Sequence, residues 1–122
     1  MKRSPFRRKP REKPSPRDVK HMDLVARVGC IVCRRENGGF VLPQIHHMKV
    51  NPLSGLHLGI GQRASHKHVL PLCHRHHGPG TGHGYHDSPG EWQRLHGSEI
   101  ELYRHLCMIL EAEFDYIAPD QE

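Results

Sequence analysis

The sequence predicts a small α+β domain with flanking helices and a basic N-terminal arm, and three observations carry that prediction. A chain of 122 residues is one domain by size, and 35% hydrophobic residues give it only a modest core. Two short apolar segments, near 40–46 and 68–72, each end on residues that bind metals rather than on ordinary turn residues. Three clusters of such residues punctuate the chain: Cys30-Ile-Val-Cys33, His46-His47 and Cys73-His74-Arg75-His76-His77. A core this small needs a staple, and thiolates and imidazoles at these intervals can supply one.

Charge divides the chain. Residues 1–20 contain nine Lys or Arg against Glu12 and Asp18, a net +7, and the remainder is net −2, so the overall +5 comes from the N-terminal segment. With Pro5, Pro10, Pro14 and Pro16 and a single aromatic, Phe6, this segment cannot bury enough apolar surface to fold alone. A disordered arm over 1–17 is expected, a folded domain over 18–117 and a short tail over 118–122. Lys2, Arg3, Arg7, Arg8, Lys9, Arg11, Lys13 and Arg17 are the candidate phosphate contacts. A flexible basic arm neutralises phosphates through counterion release without reading base sequence. A solubilising tail or a dock for an acidic protein surface are the alternatives.

No apolar run follows the basic start, so neither a secretory signal nor a membrane span is expected. The expected compartment is a reducing cytoplasm, where C-x-x-C with nearby histidines reads as metal binding rather than as a disulfide framework. Cys107 stands apart, within an apolar helical pattern, and reads as a core residue.

The elements follow in order. Asp18 can cap a first helix running to about Val28, with Val19, Met22, Leu24, Val25 and Val28 as its apolar stripe and Gly29 closing it. Arg34–Gly39 reads as a turn around Asn37-Gly38, and Phe40–His46 as a short strand with His46 and His47 at its end. Residues 48–67 lack periodicity and form a long excursion. His68–Leu72 is a second short strand, with Pro71 marking an edge or strand end, and Cys73 opens a short helix.

The glycine-rich run Gly78–Gly84 matches no dinucleotide or P-loop fingerprint and reads as a turn that aims His83 and His86 back toward the metal cluster. Ser88-Pro89 starts another helix through Leu95. Ser98-x-x-Glu101 is a capping box for a last helix in which Ile100, Tyr103, Leu106, Cys107, Leu110 and Phe114 recur at helical spacing. Ten of the thirteen histidines fall between His46 and His86, interleaved with strand-like and turn-like residues rather than forming a low-complexity tract.

A structural zinc takes four ligands in a tetrahedron, and two short knuckles with x-x spacing supply two each. Cys30, Cys33, Cys73 and His76 fit a Cys₃His site, with His74 as the geometrically poorer alternative to His76. Adjacent histidines at a strand end face opposite sides, so His46 and His47 divide labour: one imidazole holds a cation while the other takes a proton from water.

The order C-x-x-C, a strand-end His-His, then Pro-Leu-Cys-x-x-His-His before a short helix resembles the HNH (ββα-metal) endonuclease family. Gly29–Cys33, Leu70–His77, Gly82–His86 and Trp92–Gly97 are similar to its phage-borne branch of RecA-dependent, Ref-type recombination-enhancement nucleases. The likeness spans roughly residues 20–110 and implies a zinc-stapled HNH ββα-metal core. Carried over by position, it makes His47 the general base and His46 and His77 ligands of a catalytic divalent cation, with His83 or His86 in the place of a further ligand.

Two positions depart from the family pattern. The slot of the central Asn falls on His68, and a family acidic position falls on His66 after Ser65, so a second zinc on His66, His83 and His86 is one possible consequence. The resemblance implies phosphodiester hydrolysis: His47 activates water while the cation stabilises charge on the phosphate and the departing oxygen. That cation is Mg, Mn or Zn; an all-imidazole site suits a transition metal, whereas the family often uses loosely bound magnesium.

The resemblance also implies DNA as substrate, a RecA filament as the targeting partner, and a phage- or prophage-encoded protein acting in the bacterial cytoplasm. No aromatic-rich surface for stacking single strands is visible, so little intrinsic base preference is expected. Two competing classes keep the same residues. In one, a zinc-stabilised DNA-binding module uses its histidines structurally; in the other, a recombination-recruitment protein carries a degenerate core.

Overall fold

Ser15 accepts a hydrogen bond from the Asp18 amide at 3.1 Å while the Asp18 carboxylate accepts from the Ser15 amide at 3.0 Å. This reciprocal cap starts the first helix, α1, over Pro16–Val28, in a computed structural model that describes residues 13–59 and 65–119. Pro16 sits in the first helical turn, where its missing N–H costs nothing. The cap is therefore Ser15, with Asp18 as its reciprocal partner, and the helix takes in Arg17, which the sequence reading placed in the arm. Lys2, Arg3, Arg7, Arg8, Lys9 and Arg11 lie outside the described residues; Lys13 and Arg17 are exposed.

Gly29 ends α1 at φ 83°, and a Cβ there would fall 2.7 Å from the Phe40 ring. The chain turns at once into α2, Ile31–Asn37, where a turn was expected from Arg34 onward. Asn37-Gly38 is a helix stop, with Gly38 in the left-handed region and its amide bonded to the Arg34 carbonyl. The consequence is that Cys33 is carried on the first turn of a helix, within reach of the second knuckle.

The expected seven-residue strand shrinks to β1, Gln44–His47. Its partner β2, Val69–Leu72, is only four residues long and pairs antiparallel in the register Gln44↔Leu72, Ile45↔Pro71, His46↔Leu70 and His47↔Val69. Phe40, Val41 and Leu42 lie beyond the end of the ladder with β2 and stay exposed at 62%, 40% and 78%, the Val41 carbonyl accepting instead from the Cys30 amide at 2.9 Å. With two strands both are edges, which is where proline is tolerated, and Pro71 sits in β2 without breaking it. Between the strands the excursion folds on itself: Val50 bridges His57, and Asn51 Oδ1 accepts the Leu53 amide at 2.8 Å.

Cys73 caps the one-turn helix α3, His74–His77, completing a β-hairpin followed by a helix. The glycine run then doubles back so tightly that a Cβ on Gly84 would meet the Gly78 nitrogen at 2.4 Å and its Cα at 2.5 Å. The Asp87 carboxylate holds the loop by accepting from the Gly80 amide at 2.7 Å, the Gly84 amide at 2.9 Å and the Thr81 hydroxyl at 3.1 Å. Those amide bonds, first Gly80 and then Gly84, keep its carboxyl below the usual range.

Helix α4, Pro89–His96, buries Trp92, and α5, Glu99–Phe114, is capped by Ser98 accepting the Glu101 amide at 3.1 Å. The buried stripe of α5 is Glu99, Leu102, Tyr103, Leu106, Ile109 and Leu110, while Ile100, Cys107 and Phe114 pack at its margin. One core joins Val25 and Val28 of α1, Ile31 and Val32 of α2, Val69, Leu70 and Leu72 of β2, and the α5 stripe. Among the described residues no helix is long and apolar enough to cross a membrane.

Gly84→Ala is expected to cost about 2–3 kcal/mol, because both close atoms are backbone and neither can swing aside. A denaturant-midpoint shift worth under about 0.5 kcal/mol would contradict the close approach. Ser15→Ala, which removes an exposed cap, is expected to cost about 1 kcal/mol in the same measurement.

Candidate metal centre

The two knuckles meet. Cys30 precedes α2, Cys33 lies in its first turn, Cys73 caps α3 and His76 lies within it, and all four are buried. His76 Nδ1 is 3.6 Å from Cys30 Sγ, 3.4 Å from Cys33 Sγ and 3.3 Å from Cys73 Sγ, and the last two sulfurs are 3.8 Å apart. Zinc bonds of about 2.3 Å to sulfur and about 2.0–2.1 Å to nitrogen at the tetrahedral angle require about 3.8 Å between sulfurs and about 3.5 Å from sulfur to nitrogen. The donor set and its edges fit one tetrahedral ion.

Without an ion the pocket is poorly satisfied. Burial, then the neighbouring Cys30, pushes the Cys33 thiol up to about 12, and burial raises Cys30 too, while burial holds His76 below the ordinary imidazole value. Three thiols and a neutral imidazole gain little from one another, since S–H is a weak donor. His74, the alternative ligand, is exposed and outside the group.

A second group forms on the other side of the same short helix. The ligand atoms of His46, His77 and His86 lie within 4.8 Å of one another, with His77 Nε2 and His86 Nε2 3.2 Å apart. Two imidazole nitrogens on one tetrahedral ion stand about 3.3 Å apart. The glycine turn does return His86, through its amide to the His77 carbonyl at 3.1 Å. His83, on the same turn, is exposed and goes elsewhere, into the wall of a cavity beside His76.

Outer partners fix which nitrogen two of the three rings present. His77 Nδ1–H donates to Gln44 Oε1 at 2.7 Å, so its Nε2 carries the lone pair. His46 Nε2–H donates to Glu99 Oε2 at 3.1 Å, which commits that nitrogen and leaves Nδ1 as the one that can serve as a ligand. Glu99, 1% exposed, also accepts from the Tyr85 hydroxyl at 2.7 Å and the Lys49 amide at 3.0 Å. Burial, then His46 and His86, holds His77 down to about 4, and burial, then His46, lowers His86. Neutral imidazoles with defined tautomers are the form in which histidine binds a metal.

His47 follows the alternation expected of a strand. His46 is buried and His47 half-buried on the opposite side, where its Nε2 lies 3.1 Å from His66 Nδ1. His66 therefore joins His47, and a metal group of His66, His83 and His86 does not assemble among the described residues. His68 is a core residue, 7% exposed and edge-on to the Tyr103 ring at 5.8 Å.

Glu99, Tyr85 and Gln44 escaped the sequence reading. Glu99 had a signal: it occupies the apolar stripe of α5, three and four residues before Leu102 and Tyr103. A carboxylate on such a stripe is buried and must be paired. Gln44 had none, since its only mark is pairing with a residue 33 positions away.

No family model, curated protein or solved structure matches this chain. What stands on the residues alone is a small α+β domain with a β-hairpin, a Cys₃His cluster and a neighbouring histidine group, both able to coordinate metal ions.

Stripping metal with a strong chelator is expected to abolish the cooperative unfolding transition, because an ion held by the Cys₃His group would join α2 to the β2–α3 junction across about forty residues. Elemental analysis should then find less bound metal in Cys73→Ser than in wild type. Glu99→Ala is expected to cost about 3–5 kcal/mol, because it deprives the buried His46 N–H and Tyr85 hydroxyl and the half-buried Lys49 amide of their acceptor at once. Tyr85→Phe removes only one of those donors and should cost about 1 kcal/mol on the same denaturation curves.

Proposed function

We propose that this chain is a metal-dependent endodeoxyribonuclease of the HNH type, a zinc-stapled domain whose histidine group hydrolyses phosphodiester bonds. The observation that carries the reading is the convergence of His46, His77 and His86, with tautomers fixed by Glu99 and Gln44, one register position from His47.

In this reading Cys30, Cys33, Cys73 and His76 hold the structural zinc, and His46, His77 and His86 would hold a second cation. A cation there supplies charge stabilisation to the phosphate and the leaving oxygen. The all-imidazole donor set favours zinc or manganese over magnesium. His66 Nδ1 lies 3.1 Å from His47 Nε2 and orients the ring, and the His47 imidazole takes the proton from an attacking water. Glu99 keeps His46 oriented and neutralises charge that builds on its ring. Lys2, Arg3, Arg7, Arg8, Lys9, Arg11, Lys13 and Arg17 contact the DNA backbone, and a RecA filament directs the cutting.

A second reading is the better supported of the two by the ligand groups themselves. Of the two centres, only the Cys₃His group offers a complete, fully buried set of four ligands, the mark of a closed structural site. A non-catalytic, zinc-stabilised DNA-binding or recruitment protein would need nothing more.

Nicking of supercoiled and of RecA-coated DNA, with magnesium, manganese or zinc, separates the two. Wild type is expected to nick with at least one cation, and His47→Ala to lose at least about 100-fold while retaining zinc and its melting temperature. Inactivity of wild type and variant alike under every condition would leave the binding reading. Alanine at the eight basic positions should weaken DNA binding and flatten its salt dependence, by about 0.9 in log–log slope per lost phosphate contact.

A further inference from the structure

His76 binds the thiol cluster through Nδ1, so as a neutral ligand it carries its remaining proton on Nε2. A metal-bound imidazole holds its geometry best when that second N–H has an acceptor. Glu36, at the end of α2, and His96, at the end of α4, meet there: Glu36 Oε1 is 3.3 Å from His96 Nδ1. The ligand atoms of Glu36, His76 and His96 all lie within 4.8 Å of one another. The His96 ring stands edge-on to His76 at 5.3 Å and is backed by Trp92 at 5.1 Å.

We propose that Glu36 is a positioning residue for the structural zinc: it accepts the His76 Nε2–H, directly or through one water, while His96 holds its carboxylate in place. The three residues line a cavity of about 490 Å³ together with Cys33, which gives a bridging water room and polar partners. The Glu36 side chain is 49% exposed, within reach of solvent, whereas His96 is 17% exposed. A second metal ion in the same place is disfavoured chemically. It would have to strip the Nε2 proton from an imidazole already bound at Nδ1.

The arrangement also gives the zinc site a mechanical consequence. Glu36 and His96 lie on different helices, so an occupied site draws the end of α4 toward α2. Neither residue belongs to the two knuckles, and the histidine group takes no part. The proposal therefore rests on the Cys₃His group holding zinc and not on whether the protein cuts DNA.

The test is zinc affinity by chelator competition in wild type, Glu36→Gln, His76→Cys and the double variant. Glu36→Gln is expected to weaken zinc binding by about 10-fold in the wild-type background, within the range typical of such outer partners. In the His76→Cys background, where no imidazole remains to orient, the same change should have under about 2-fold effect. Equal losses in both backgrounds, no loss in either, or a second bound ion that Glu36→Gln removes would overturn the assignment. If His76→Cys does not fold, nitrogen NMR of the His76 ring decides. The Nε2–H signal should be protected from solvent exchange in zinc-loaded wild type and lose that protection in Glu36→Gln; equal exchange in both would overturn the proposal.

Discussion

Everything in this domain depends on four ligand atoms arriving at one point from two places. Cys30 and Cys33 come from the start of α2, Cys73 and His76 from the junction of β2 and α3, and the nitrogen–sulfur distances of 3.3–3.6 Å already have the dimensions of a tetrahedral site. The hydrophobic core alone is thin: the sheet has two four-residue strands, and large apolar side chains such as Leu42, Leu53 and Leu56 remain exposed. Buried thiols with raised proton affinity are an unfavourable filling for such a core. The same thiols as ligands of an ion would convert that cost into the principal tether.

Helix α3 links this tether to the second group. Successive residues on a helix point about 100° apart, so His76 faces the cysteines while His77, the next residue, faces His46 and His86. A single turn of helix thus fixes the spacing between the two centres. The hairpin contributes in the same way, since His46 and His47 alternate across β1 and are delivered to different neighbours, Glu99 and His66. Glu99 then couples the hairpin to α5, because one carboxylate accepts from a strand histidine, a loop tyrosine and the Lys49 amide. A shift of any of these elements misdirects His46.

Much of this was legible in residue order, and the failures have local causes. Helix α5 was readable because Ser98 and a sustained 3.6-residue stripe agree, and α4 because Ser88-Pro89 marks its start. Helix α2 was missed because seven residues with Arg34, Arg35 and Glu36 show no apolar period, and its stop signal, Asn37-Gly38, doubles as a turn signal. Phe40, Val41 and Leu42 have strand propensity but lie outside β1, because propensity is overridden where the partner strand ends, at the Gln44↔Leu72 pair.

The sequence by itself determined the ligand inventory, the pairing of two x-x knuckles and the return of a histidine through the glycine turn. Those features follow from residue type and short spacing, which are local. The tertiary structure decided how the histidines divide: His86 with His46 and His77, His66 with His47, His68 in the core, and His83 beside the cavity. It also decided that Glu99 and Gln44 stand behind the second group, from 53 and 33 positions away in the chain. Such partners are set by how the chain closes on itself, and no local pattern encodes that closure.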